Sequence, residues 1–244
     1  MAEREQVLLE PGFVLHQRPY LNTSQLLECV TASHGRVGLV ARGSRRAVSG
    51  QRALLQPFVP LRLSWLRQGE LGRLTHVEAV GPSYELAAQR LLGGYYANEL
   101  LLRLTVRSDP NAEIFSCYSR CLAELAGSRV ATRPLRVFEL KLLQALGYGV
   151  ELDIDAQTGE PLQPDIRYVY EIEQGLRRAA DRGERADEDT YLGRDLIALR
   201  EQRLEDDASL RAAQRLLARV LREHLGERPL QSRLVLQDIV SRGL

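Results

Sequence analysis

Three observations predict an α+β protein, a small five-stranded β-barrel followed by an all-helical domain. Residues 12–81 alternate apolar and polar side chains in short runs broken by Gly, Pro and Ser. From residue 82 onward the apolar spacing becomes that of helices. Gly81-Pro82-Ser83 marks the change, which places the domains at 1–81 and 82–244. The chain of 244 residues is long enough for one large domain or two small ones, each with a core.

The first strand is expected over Gly12–Arg18, ending at Pro19, and the second over Ser24–Thr31. Ser33-His34-Gly35 reads as a turn into a third strand, Arg36–Val40. A fourth is expected within Ala53–Trp65, where Pro57 and Pro60 demote part of it to an edge or bulge. Arg73–Val80 supplies the fifth. Five strands of this length fit a partly open barrel of the OB type, and the pattern alone fits an SH3-like barrel equally.

The helices follow. The first spans Tyr84–Val106, and its Gly93-Gly94 pair costs roughly 1 kcal/mol per glycine relative to alanine. That cost points to another element packed closely there. A second helix is expected near Ala112–Ala126, and a third opens at Thr132-Arg133-Pro134 and stops at Gly147. Residues 151–190 read as irregular and polar. A long helix is expected over Asp207–Leu225, and a short one after Pro229.

Charge is the next signal. The net charge is only +1, but residues 1–80 carry ten arginines against six acids, and the rest of the chain is net acidic. Seven arginines and no acid lie between Glu28 and Glu70. Four of them fall in Val40–Arg52, VARGSRRAVSGQR. The plainer reading is a solvated surface loop. The functional one is a polyanion partner, because guanidinium forks match phosphate oxygens and keep their charge. Few aromatics remain for base stacking once the core is filled, so binding is expected to be mainly electrostatic. His34, in a turn beside Arg36, is a candidate phosphate contact.

Other chemistries find little support. Lys141 is the only lysine and lies outside any phosphate-loop motif. The four histidines show no zinc spacing, and no nucleophile–base order is recognisable. Cys29, Cys117 and Cys121 form no CxxC pair and read as buried small side chains of a protein made inside the cell. No leader peptide or membrane span is expected, so the predicted location is the cytoplasm, at the nucleoid. The interleaved acids of residues 184–207 read as a solvated face, and neither catalysis nor a cofactor is expected.

The segments GFVLHQRPYLNTSQLLECVTASHGRVGLVARGSRR, ALLQPFVPLRLSW, YYANELLLRL and LRVFELKLLQALGYG, in this order, resemble the bacterial recombination mediator family RecO. The resemblance covers nearly the whole chain and implies an OB fold on a helical domain with no catalytic role. It implies binding of single- and double-stranded DNA and annealing of complementary strands. With RecR, it implies loading of RecA onto DNA covered by the single-strand-binding protein SSB. The family's basic surface falls on Arg36, Arg42, Arg45, Arg46 and Arg52, to which Arg18 and His34 are added here as DNA contacts. The Leu-Arg-x-Phe-Glu-Leu helix start falls on Leu135–Leu140, making Arg136, with Arg133, the expected grip on the SSB tail. Some relatives carry a four-cysteine zinc module after Gly-Tyr-Gly, whereas Gly147-Tyr148-Gly149 is followed here by no cysteine, so no metal is expected. A general RNA-binding OB protein is the alternative, and a metal-dependent nuclease is a more distant one.

Overall fold

The computed structural model describes residues 5–46, 50–67, 69–87, 89–127, 132–179, 190–226 and 228–232. Five strands close a barrel in the order β1-β2-β3-β5-β4. They are β1 (Glu5–Tyr20), β2 (Ser24–Thr31), β3 (Gly35–Ala41), β4 (Leu61–Arg67) and β5 (Leu71–Ala79). All pairings are antiparallel except β3 with β5. That parallel closure is the OB arrangement, and it separates the two barrels the sequence pattern left open.

Alternation decides which side chains enter the barrel. Val14, Cys29, Val37, Leu39, Leu63 and Trp65 point inward and form the centre of its apolar core. Burying side chains of this size contributes roughly 1.5–3 kcal/mol each. Gln17, Gln25 and Gln56 join by side-chain hydrogen bonds of 2.9 and 2.6 Å beside this core.

β1 is longer than expected, for a geometric reason. Its first part pairs with β4 and its second with β2, and Gly12 faces both Leu61 and Thr31. Register shifts at Val7/Glu10 and Val14/His16 bend the strand, and Pro11, beside the first, lies within it; Pro19 is in register with Gln25, one residue before the strand ends. The fourth strand starts later than expected. Gln51–Leu54 forms a single helical turn, α1, and the extended run resumes only after Pro60.

Beyond the barrel come α2 (Gln89–Leu104) and α3 (Ala112–Gly127). An added Cβ at Gly94 would stand 2.8 Å from the Phe58 ring, so the glycine in α2 is the site of close approach that the sequence suggested. Phe13, on the outer wall, meets Tyr118 of α3 edge-on at 5.4 Å. Asn98 of α2 donates to the Leu15 carbonyl and accepts from the Tyr118 hydroxyl. These contacts join α2 and α3 to the barrel in one compact unit, comprising the described residues up to 127 together with 229–232. Compactness therefore divides the chain at a different point from the change in secondary structure.

The second unit holds α4 (Thr132–Ala145), α5 (Gly193–Arg200) and α6 (Asp207–Leu225). It also holds an antiparallel sheet, β6 (Arg167–Glu171), β7 (Gly175–Arg178) and β8 (Thr190–Leu192), in the order β7-β6-β8. The reading of residues 151–190 as irregular is corrected here. The strands are short and mostly half-exposed, so they show little alternation, and only Tyr168, Leu176, Thr190 and Tyr191 among them are buried. α5 leaves no signal in the sequence, because eight residues with two buried leucines carry too little periodicity. Asp206 caps α6 by accepting from the Ala208 and Ser209 amides. The expected helix after Pro229 lies mostly outside the described residues.

Candidate nucleic-acid interface

The β1–β2 turn, the segment after β3 and the start of β5 meet at one end of the barrel. Gly43, at φ 68°, and the Arg46 amide donating to the Gly43 carbonyl fold residues 43–46 into a tight turn. The Arg45 amide donates to Thr23, tying this turn to the β1–β2 turn. Ser44, fully buried, anchors it by donating to the Ala41 carbonyl.

This packing leaves an open cavity of about 460 Å³ lined by Arg42, Arg46 and Arg73, with Tyr20, Leu21 and Ser24. Arg73 was not singled out in the sequence. The parallel ladder sets it beside Val40, and Gly72 faces the core, so Arg73 faces outward. Across the wall, Arg18 pairs with Leu26, Leu26 with Val40, and Val40 with Arg73. Arg18 thus stands three strand spacings from Arg73, about 14 Å. Arg42, Arg45, Arg46, Arg73 and Arg18 are all exposed, as is Arg52 on α1. Two apolar side chains also stay at the surface here, Tyr20 at 40% and Leu21 at 74% exposure. Phe13, Phe58 and Trp65 are buried, so Tyr20 is the barrel aromatic left free to stack on a base.

Two expected contacts lie elsewhere. The turn carrying His34 is at the opposite end of the β2–β3 hairpin. His34 sits 3.5 Å from Glu10 and 3.7 Å from Glu5, with its ring edge-on to Trp65. Arg36 is held by Glu28 at 2.9 Å and donates to the Thr105 carbonyl. Glu28 also receives Arg107, whose pKa is raised chiefly by this hydrogen bond. The guanidinium of Arg36 is therefore engaged inside the protein, by Glu28 at the edge of the acid-free run and by the distant Thr105 carbonyl.

In the second unit Arg136 is buried, and its guanidinium donates to Glu139 at 2.7 Å. Arg133 is exposed and donates to the Gln202 carbonyl. Among the described residues no cluster of His, Cys, Asp or Glu could hold a metal ion, and no helix is long and apolar enough to cross a membrane.

The family comparisons agree with one another along the chain. The family description "Recombination protein O N terminal" matches residues 6–83, and "Recombination protein O C terminal" matches residues 86–234. The chain is 42% identical over 232 residues to the DNA repair protein RecO of Methylococcus capsulatus, covering 95% of this chain and 94% of that one. It is 43% identical over 233 residues to the RecO of Nitrosococcus oceani, covering 96% and 94%. With a RecO of Coxiella burnetii it shares 39% identity over 232 residues, covering 95% and 99%. An OB barrel and a helical second part, matched along nearly their whole length by one family, place this chain in the recombination protein O family.

Proposed function

We propose that this protein acts in DNA repair as a non-catalytic mediator. Its barrel binds single- and double-stranded DNA through phosphate contacts and brings complementary strands together. The observation that carries this reading is the convergence of Arg42, Arg46 and Arg73 on one concave face, with Arg18, Arg45 and Arg52 exposed on the same barrel. Guanidinium forks at these positions neutralise phosphate charge, which lowers the repulsion between strands and releases counterions. Arg36 and His34 serve this surface indirectly, by holding the strands that carry it.

Membership of the family supports a wider role. With RecR, the protein helps RecA onto single strands coated by SSB. The acidic carboxyl-terminal tail of SSB docks at the start of α4, where Arg133 is exposed and Arg136 is held by Glu139. Terminal-carboxylate capture is the recognition mode involved. An SSB-tail peptide should lose affinity for an Arg133→Ala variant while naked DNA binds as before.

The test of the DNA surface is fluorescence anisotropy with a labelled oligonucleotide. Arg42→Ala/Arg46→Ala/Arg73→Ala should bind at least tenfold more weakly than wild type with its fold intact. Unchanged affinity would refute the assignment. Competition with RNA of equal length separates this reading from a general RNA-binding one, which predicts RNA to compete better.

A further inference from the structure

The second unit carries a basic groove that the DNA surface above does not use. α6 buries Ala212, Ala213, Leu216, Leu217, Val220 and Leu221 on one side. On the other side Arg211, Arg215, Arg219 and Arg222 fall within about 80° of arc and span about 16 Å of helix. The four arginines line an open groove of about 670 Å³, whose other wall includes Ile172 and Tyr191. Among the described residues, Glu223 is the one acid lining it. Arg211 also lies 3.8 Å from Asp207, one helical turn back.

The groove is built as well as charged. Arg215 donates to the Thr190 carbonyl and lies 5.3 Å from the centre of the Tyr191 ring. Arg219 lies 5.9 Å from the centre of the Tyr170 ring. Cation–π contacts of this kind hold a guanidinium in place. Three neighbouring arginines repeat every four residues, about 6 Å along the helix. A single terminal carboxylate needs one fork, whereas a row of forks suits a repeating anion. Ile172, Tyr191 and Ala218 give the groove some apolar lining, so it is the repeat of the arginines along its length that favours a phosphate backbone over a peptide.

We infer that this groove is a second nucleic-acid site, which holds the phosphate backbone of a second single strand while the barrel holds the first. The inference rests on the DNA-binding reading of the barrel. It runs against the expectation from the net acidic charge of this part of the chain, because that average hides a basic stripe. Annealing then has a physical basis within one protein molecule: two strands are neutralised on separate surfaces of the same chain.

The test uses the full chain, a fluorescent oligonucleotide that lacks self-complementarity, and Arg211→Ala/Arg222→Ala, which spares the two ring-held arginines. Wild type should bind two oligonucleotides per chain in low salt, and the variant one, with the first affinity changed less than twofold. Annealing of complementary strands should slow at least fivefold in the variant. The Arg42→Ala/Arg46→Ala/Arg73→Ala protein should keep the groove site and lose the other. Wild type that binds only one strand overturns the inference and leaves the barrel reading standing. So does a variant that still binds two, or a groove that takes an acidic peptide in place of DNA. Loss of neither site in the barrel variant counts against the barrel reading instead.

Discussion

Arg36 reaches along the outer barrel wall to Glu28, with its Nη1 2.9 Å from Glu28 Oε2. Both side chains are largely shielded, at 16% and 14% exposure. Arg107 approaches the same carboxylate from beyond α2. Arg36 also donates to the Thr105 carbonyl, so its guanidinium is shielded and its donors are turned inward, away from a ligand. Arg36→Ala should therefore cost about 1–3 kcal/mol of stability, read by urea denaturation, and change DNA affinity less than twofold. A tenfold loss of affinity with unchanged stability would return Arg36 to the DNA surface.

Salt dependence counts the phosphates engaged. If about five arginines each neutralise one phosphate of a single strand, log K against log salt should slope near −3.5, at about −0.7 per phosphate. Removing Arg42, Arg46 and Arg73 should bring the slope to about −1.4. An anisotropy series from low to moderate salt measures both. A wild-type slope near zero would be incompatible with an electrostatic interface.

Tyr20 lines the arginine cavity and remains 40% exposed. Stacking of one base on an aromatic ring contributes about 1–3 kcal/mol. Tyr20→Ala should therefore weaken single-strand binding by roughly five- to a hundredfold. Duplex affinity should hold, because paired bases are not available to stack. Equal losses for both forms would place Tyr20 in the fold and not at the ligand.

How far the sequence reaches can be judged from these same residues. Arg42, Arg45 and Arg46 were legible because they cluster in one local stretch. Arg73 was not, because its place beside Val40 arises from a parallel pairing between strands more than thirty residues apart. Strand order and the OB closure are nonlocal in the same way. The helices α3 and α6 were legible because their buried residues recur with helical period, and α4, buried on nearly every side, because Thr132-Arg133-Pro134 and Gly147 mark its ends. The small sheet of the second unit was not, because three short strands with half-exposed faces leave no such period. Arg136 shows a different limit: the helix-start motif picks out the residue but not its burial against Glu139, which depends on tertiary packing.

The cysteines give a pH-dependent prediction. Burial raises the Cys117 thiol to about 12, and it raises Cys29 further, with Glu28 adding to the effect. The ordinary thiol value is about 8.5. A thiol whose pKa is raised by folding stabilises the native state below the unfolded value, and that contribution is lost as pH rises toward the folded one. Stability should thus fall between pH 8 and pH 10. It should fall less in a Cys29→Ala/Cys117→Ala variant, as measured by denaturation midpoints. In the native state neither thiol should react with a thiol reagent at pH 8. Rapid labelling, or equal pH slopes for the two proteins, would contradict this.

The most direct test of the central claim is annealing of two complementary oligonucleotides, each coated with cognate SSB, by wild type and by Arg42→Ala/Arg46→Ala/Arg73→Ala. The account predicts that wild type anneals them and that the folded variant is at least tenfold slower. Equal rates for the two proteins would show that the arginine cavity at the end of the barrel is not where this protein handles DNA.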